Sequence, residues 1–539
     1  MINQIGNRNR AAFKLTIVDG LFLLIFISLI CTSLINTQYH NCHPFVMLEP
    51  LLISYSLLRV LFSINAKWTS NLLIVVIVIV CAREIWLSYS QLFQNFGIKK
   101  GQDICVGSFS NSGPLGCFFS ACSSLFLAVQ SKTSKKIIIT LLMIMTALAL
   151  VMLVCTLSRA SMLAFAISLL FLFMKKESTS SFIRRNWAFL FLSIILISIS
   201  AYYLKRPSAD GRFLMTRINM QMIYNGGLSG VGLGNYEGAY GEAQARFFMN
   251  YLDPDADLSD IDQIPEKMRM VADCPSYAFN EYLRIGVEAG PIVMFLLLSM
   301  LIICIISFYR CDNYWLYPLL SISFYACFSY PYEINALLFF IVICLASNNS
   351  NEGNNEMTRC FFLIMIIILI PMLVVHISKN NELDIRVRKT AMRDVFESRH
   401  KVYVLCDCGN LPNGLTDEKI LYECGASLYK DGNYACSDSV LLIGAGISSD
   451  PMFWNVMGNN SLAQGRYREA EERYKHAFYM VPNRLYPLYL LAKLYHTEGD
   501  TARFLKMADV VETFVPKVES VNTEMLRSEI RAIKADYQK

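Results

Sequence analysis

The chain has 539 residues, of which 54% are hydrophobic, 12% are aromatic and only 17% are charged. Soluble domains carry about 25% charged residues, so this composition excludes an entirely soluble protein and indicates that much of the chain lies in lipid. The net charge of +5 is small for this length, and lysine and arginine do not alternate with aromatic residues in any cluster, so nucleic acid is not an expected partner.

The apolar and polar parts of the chain are separate. Residues 1–377 contain the long apolar runs, whereas residues 378–539 have the composition of an ordinary soluble domain. We therefore predict a transmembrane domain over 1–377, interrupted by a long external loop at 205–289, and an external soluble domain over 378–539.

The apolar runs predict about eleven membrane-spanning helices, because a hydrocarbon core of ~30 Å needs about 20 apolar residues in a helix. The candidate spans lie near residues 16–36, 46–64, 70–89, 113–130, 137–157, 161–174, 187–204, 290–309, 314–329, 334–347 and 359–377. The expected fold class is all-α: a polytopic membrane protein with a GT-C-like bundle and a C-terminal α-helical repeat domain.

Positive charge predicts the orientation of these spans. The first span follows Arg8, Arg10 and Lys14 and is followed by no small-residue cleavage site, so we expect a retained anchor with a cytoplasmic N-terminus. With alternating spans, most remaining basic residues fall in cytoplasmic connections, as the positive-inside rule requires. They are Lys67, Lys132, Lys135, Lys136, Lys175, Lys176, Arg184, Arg185, Arg310 and Arg359. The loop 205–289 and the tail then lie outside the cytoplasm.

Arg159 stands in a turn of almost no length between two apolar runs. A guanidinium there is costly unless it is paired or lines a wet cavity. Two interpretations remain open. The side chain either extends to the membrane surface, or it forms an anion site at the outer boundary, since its planar fork of donors suits phosphate oxygens.

The external loop carries Arg212, Arg217 and a glycine run at 226–236. Glycines at 230, 232 and 234 permit positive φ angles and close backbone approach. The run does not follow a predicted strand of a βαβ unit, so the sequence does not support dinucleotide binding.

The segment 277–290 leads directly into a span. On a helix, Glu281, Arg284 and Glu288 fall on one face. This face is either solvated, with Arg284 bridging the two carboxylates, or it presents a catalytic carboxylate beside a substrate-holding Asn280.

Four features in this order resemble the superfamily of O-antigen ligases, O-antigen polymerases and bacterial O-linked oligosaccharyltransferases. The features are Phe109-Ser110-Asn111-Ser112-Gly113-Pro114 entering a span, Ser158-Arg159 at an outer turn, Asp210-Gly211-Arg212 followed by the glycine run through Tyr236, and Asn280-Glu281-Tyr282-Leu283 with Glu288 and Gly290. The resemblance covers roughly residues 105–300.

The resemblance implies a glycosyltransferase of the bacterial inner membrane with a periplasmic C-terminal domain. It would move a glycan from undecaprenyl diphosphate to a hydroxyl of a lipid, glycan or protein acceptor, without a nucleotide sugar, a cofactor or an obligatory metal. Arg159 and Arg212 would hold the diphosphate and stabilise its developing charge. Arg217 and Asn280 are further substrate-binding candidates.

The sequence departs from the ligase pattern at Phe279, where ligases carry a histidine. Phenylalanine cannot accept a proton, and no histidine lies in the loop 205–289, so a histidine base from this loop is excluded. Glu281 and Glu288 are the nearest replacements by sequence, and we take them as the catalytic candidates.

The tail contains residues at the offsets of a tetratricopeptide repeat, and the match is clearest over 451–516. They are Trp454, Gly458, Ala470, Ala477 and Pro482, with a weaker second set at Leu488, Ala492, Gly499 and Pro516. We expect helices across about 383–537. Such a solenoid either presents a concave surface to a protein partner or serves only to pack on the membrane part.

Cys406, Cys408, Cys424 and Cys436 lie in the tail, in a compartment where oxidation is permitted. Their spacing fits no strong zinc pattern, and the sequence is equally compatible with one or two disulfides and with none.

The sequence leaves open whether the chain is a ligase, an O-oligosaccharyltransferase or a repeat-unit polymerase. A non-catalytic transporter or scaffold is the alternative from another class. It is disfavoured because the hydropathy pattern is not duplicated and the polar residues cluster at the outer face instead of at mid-span.

Overall fold

A computed structural model describes residues 15–35, 44–95, 105–175, 206–251, 264–348, 357–375 and 418–537. These residues are almost entirely helical, and the ranges just given contain no strand. The predicted all-α class is therefore confirmed. The predicted span at 187–204 and the first part of the tail, 383–417, lie outside the described residues.

The helices of the membrane part and its external loop follow one another with short connections. They are α1 (Ile17–Ile35), α2 (Pro44–Asn95), α3 (Ser112–Gln130), α4 (Lys136–Cys155), α5 (Arg159–Met174), α6 (Arg206–Asn225), α7 (Tyr236–Met249), α8 (Glu266–Val271), α9 (Glu281–Ala289), α10 (Pro291–Arg310), α11 (Leu316–Tyr325), α12 (Asn335–Ser347) and α13 (Met357–Val375). A 3-10 turn at Pro331–Glu333 precedes α12.

Six of these helices, α1 to α4, α10 and α13, are long and apolar enough to cross a membrane, and α5, α11 and α12 are shorter apolar helices. Helix α2 contains two of the predicted spans, 46–64 and 70–89. Its helical geometry breaks at Asn65, where φ is −155° and ψ is 95°. The Asn65 side chain accepts a hydrogen bond from the backbone N–H of Trp68 at 2.9 Å, so it caps the second half as a new helix.

Helix α3 is the centre of the bundle. Of its apolar window 83% is buried, against 11% for α13 at the periphery. The sequence of α3 is rich in glycine, alanine, serine and cysteine, and these small residues let neighbouring helices approach closely. Ser120 of α3 and Ser321 of α11 share a hydrogen bond of 2.6 Å across this contact.

Two of the predicted cytoplasmic connections meet at one end of the bundle. Lys132, after α3, forms an ion pair of 2.7 Å with Asp312, and Lys175, after α5, pairs with the same carboxylate. Arg159 begins α5 at its other end. The two charged ends of the bundle are therefore those that alternating spans require.

A buried ion pair joins α1 and α2, and sequence analysis missed it. Asp19 and Arg59 are at most 2% exposed, and their two hydrogen bonds measure 2.7 and 2.9 Å. The hydroxyl of Tyr55 donates a third bond to Asp19 at 2.6 Å. A charge pair is tolerated away from water only when its remaining hydrogen-bonding capacity is satisfied in this way.

The tail forms successive helical hairpins. Its helices are α14 (Glu418–Lys430), α15 (Tyr434–Ile447), α16 (Met452–Ala463), α17 (Tyr467–Met480), α18 (Tyr486–Glu498), α19 (Thr501–Thr513) and α20 (Val521–Tyr537). A Cβ atom on Gly458 of α16 would lie 2.3 Å from the ring of Tyr474, so the α16–α17 contact requires glycine there. This arrangement is what the predicted repeats require, and the tetratricopeptide assignment itself stays a prediction.

The external loop and the tail share one hydrophobic core, although the sequence suggested two separate regions. Tyr240 and Phe248 of α7 belong to the same buried cluster as Phe478 of α17. The side chain of Asn483 donates hydrogen bonds of 2.9 and 2.7 Å to the backbone carbonyls of Arg269 and Ala272. The tail is therefore fixed directly to the loop that carries the candidate site.

The cysteines of the tail differ in oxidation state. Cys436 is disulfide-bonded, whereas Cys424 is a buried free thiol. Cys406 and Cys408 lie outside the described residues.

Candidate functional site

Two arginines that are distant in sequence meet at one end of the bundle. Arg159 is the first residue of α5, and the turn that presents it contains Leu157 with a positive φ of 52°. Arg212 lies on α6. Burial lowers the pKa of Arg212, and repulsion from the positive charge of Arg159 lowers it further. In the part of the chain that the structure describes, Arg212 forms no ion pair with a carboxylate.

The N-termini of α3 and α5 lie beside this pair. Ser161 of α5 donates a hydrogen bond of 3.1 Å to the carbonyl of Gly113, in the first turn of α3. A Cβ atom on Gly113 would lie 2.8 Å from the hydroxyl of Tyr325, and Tyr325 in turn acts electrostatically on Arg212. Helix N-termini carry partial positive charge, so helices and guanidinium groups together favour an anion at this position.

Phe279, which replaces the histidine of the ligase pattern, packs against Arg212. The guanidinium carbon lies 5.1 Å from the centroid of the ring, within the range of a cation–π contact. The ring also makes an edge contact with Tyr330 at 5.7 Å, and Tyr330 stacks on Tyr277 at 4.1 Å. The residue at this position thus forms an apolar wall for the arginine.

The predicted catalytic carboxylates, Glu281 and Glu288, are each only 1% exposed. Arg284 lies between them, 2.8 Å from Glu281 and 3.6 Å from Glu288, and it also pairs with Glu333. The interpretation of Arg284 as a bridge between two carboxylates is therefore confirmed. The expectation that this face is solvated is wrong, because the connection before α12 covers it; the backbone N–H of Tyr332 donates to Glu281 at 3.0 Å.

Burial changes the proton affinity of both carboxylates. It raises the pKa of Glu288 to about 7, against an opposing effect of Arg284, and it raises the pKa of Glu281 as well. One oxygen of Glu288 accepts a hydrogen bond of 3.2 Å from the backbone N–H of Gly234. A carboxyl group with a pKa near neutrality can exchange protons at physiological pH.

The glycine run packs on the end of α9, as its composition predicted. The backbone N–H groups of Val231 and Gly232 donate to the carbonyls of Val287 and Glu288 at 2.9 and 2.8 Å. Gly230 has a φ of +65°, and a Cβ atom there would lie 2.4 Å from the Val287 carbonyl oxygen. The run therefore holds α9 and Glu288 in place.

The two remaining predicted residues have other contacts. The side chain of Asn280 accepts a hydrogen bond of 3.1 Å from the backbone N–H of Leu283 and caps α9. Arg217 lies over the ring of Phe247 at 5.2 Å. It follows Arg212 by five helical positions, about 140° around α6, so the structure does not bring it to the arginine pair.

Sequence analysis missed Glu237, the second residue of α7. Burial, together with the negative charge of Glu418, raises its pKa to about 7. Its carboxylate accepts hydrogen bonds from the backbone of Ser449 and the side chain of Ser276. No local pattern could have identified Glu237, because its environment is formed by the tail and by a distant part of the loop.

These features define a polytopic membrane protein with a cationic site at one end of its bundle. Residues 144–298, which include all six predicted site residues, match the family model described as O-antigen ligase. The membrane part of the chain therefore belongs to the O-antigen ligase superfamily, a family of membrane glycosyltransferases of the ligase and polymerase type. No curated protein and no solved structure matches the chain.

Proposed function

We propose that this protein transfers a glycan from undecaprenyl diphosphate to an acceptor hydroxyl outside the cytoplasm, with Arg159 and Arg212 holding the diphosphate. The observation that carries the proposal is the meeting of these two guanidinium groups beside the N-termini of α3 and α5. Bringing two like charges together is unfavourable in the empty protein, and a diphosphate between them would remove that repulsion.

The reaction divides into two electrostatic tasks. The acceptor oxygen forms a bond to the anomeric carbon of the donor sugar, while the bond from that carbon to the diphosphate oxygen breaks. Undecaprenyl diphosphate leaves with an additional negative charge, which Arg159 and Arg212 stabilise as it develops. The acceptor hydroxyl must also lose its proton.

Glu288 is the better candidate for taking that proton, because its pKa of about 7 matches the requirement for a base at neutral pH. Glu281 is bound more tightly by Arg284 and accepts a backbone hydrogen bond as well. Both carboxylates are buried, so proton transfer from the acceptor would need an intervening water or a movement of α9 relative to the connection before α12.

The proposed orientation puts the site and the tail in the periplasm of a bacterium. The disulfide at Cys436 supports this orientation, because structural disulfides persist in oxidising compartments. The contacts of Lys132 and Lys175 with Asp312, at the end of the bundle opposite Arg159, support it independently.

Analysis of the lipid-linked glycans in a deletion strain tests the proposal. Completed chains that remain on undecaprenyl diphosphate would identify a ligase or a protein oligosaccharyltransferase. Single repeat units that remain on the lipid would identify a polymerase, the second candidate, which is favoured by the absence of the ligase histidine at Phe279. Unchanged surface glycans, glycoproteins and lipid-linked intermediates would refute both and favour a non-catalytic role.

A further inference from the structure

Three aromatic rings form a continuous surface next to Arg212, and we name Tyr277, Phe279 and Tyr330 the aromatic platform. Tyr330 is 7% exposed and lies beneath Tyr277, with its ring centroid 4.1 Å away and the two planes 14° apart. Tyr277 is 37% exposed. Since one face of the Tyr277 ring is covered by Tyr330, its other face is available to a ligand.

The aromatic platform begins at the cation of the proposed diphosphate site. Arg212 lies over Phe279, Phe279 makes an edge contact with Tyr330, and Tyr330 stacks on Tyr277. A molecule held by its diphosphate at Arg212 would therefore have its next groups against these rings. In a lipid-linked glycan, those groups are the sugars nearest the diphosphate.

Carboxylates border the exposed end of the aromatic platform. Burial, followed by the negative charges of Glu333 and Glu237, raises the pKa of Tyr277. The side chain of Ser276, also exposed, donates to Glu237. An apolar ring face bordered by hydrogen-bond acceptors suits a pyranose, which has apolar C–H groups on its faces and hydroxyl donors at its edge.

Phe279 is held in a costly conformation to complete this surface. Its φ of +49° places a bulky residue in the left-handed region, where a Cβ atom costs about 1–2 kcal/mol. The strained backbone directs the ring towards both Arg212 and Tyr330. Strain of this kind persists where the surrounding structure over-determines a functional conformation.

We propose that the aromatic platform is a sugar-binding subsite for the donor glycan, which receives the sugar rings nearest the diphosphate. This inference rests on the proposed function, because it needs the diphosphate at Arg212. The platform selects a glycosylated lipid over the bare lipid, whereas the arginines bind both.

Binding measurements with two lipids separate these two roles. The full-length protein in lipid nanodiscs is titrated with undecaprenyl diphosphate alone and with undecaprenyl diphosphate that carries a disaccharide. We expect Tyr277→Ala to weaken binding of the disaccharide lipid about two- to tenfold and to leave binding of the bare lipid unchanged. Tyr277→Phe keeps the ring and should behave like the wild type.

Tyr224, which is 88% exposed near the end of α6, provides the matched control, and Tyr224→Ala should bind both lipids normally. If Tyr277→Ala binds the disaccharide lipid as tightly as the wild type does, the subsite assignment is wrong. Equal weakening for both lipids would also overturn it, because the effect would then come from the diphosphate site or from misfolding.

The proposed function is judged by Arg212→Ala in the same titration. That variant should weaken both lipids to a similar extent. If it binds bare undecaprenyl diphosphate normally, the diphosphate site is refuted, whatever Tyr277→Ala shows. If Tyr277→Ala changes only the KM for the acceptor in a transfer assay, the platform serves the acceptor and the donor assignment fails.

Discussion

Replacing Arg212 tests the diphosphate site most directly. Arg212→Ala removes a guanidinium that the described part of the chain leaves without a carboxylate partner, so its charge is available to a substrate. One charged hydrogen bond contributes about 1.5–3 kcal/mol, and losing a donor that stabilises a developing oxyanion typically costs about 10²–10³ in kcat. We expect a loss of that size. Arg212→Lys keeps the charge without the planar fork and should lose less.

The same substitution should have little effect on folding. Removing Arg212 loses the contact with Phe279, worth about 0.5–1 kcal/mol, and relieves the repulsion from Arg159. The two effects oppose each other, so the melting temperature should stay close to that of the wild type. Arg159→Ala should resemble Arg212→Ala. The double variant should lose less than the product of the two single losses, because both groups act on one diphosphate.

The assay is glycan transfer by membranes from a deletion strain that expresses each variant, with protein abundance measured in the same samples. Arg246→Ala is the control, since Arg246 is an exposed arginine on the neighbouring helix α7. Transfer by Arg212→Ala within about twofold of the wild-type rate would contradict the reasoning. So would a loss of transfer that merely follows a loss of folded protein.

Three further predictions concern stability. Burial raises the pKa of Glu288 from 4.5 to about 7, so its contribution to stability is present below about pH 4.5 and is lost as the pH rises to about 7; Glu288→Gln should flatten the melting temperature between pH 5 and 7, and an unchanged profile would contradict this. Gly238→Ala puts a Cβ atom 2.0 Å from a backbone oxygen of the tail, so limited proteolysis should release the tail faster than in Gly20→Ala, where nothing lies within 4 Å. Asp19→Ala leaves Arg59 buried without its partner and should cost about 3–5 kcal/mol, measured by thermal unfolding in detergent; a wild-type melting temperature would show that the pair is not buried in the folded protein.

The sequence by itself determined the features that depend on local pattern. Apolar runs of sufficient length identified the spanning helices, because lipid requires every backbone group to be satisfied within its own helix. The order of Arg159, Arg212 and the 280–288 segment was enough to indicate the O-antigen ligase superfamily, since a family motif is a property of the chain. The spacing of small residues in the tail indicated its closely packed hairpins.

Only the tertiary structure decided how these segments combine. The meeting of Arg159 with Arg212, the environment of Glu237 and the core shared by loop and tail each join residues far apart in the chain. The burial of Glu281 and Glu288 depends on a connection that follows them by some fifty positions. Local patterns report which face of a helix is apolar, but they do not specify the partner of that face. Proton affinity and substrate contact depend on the partner.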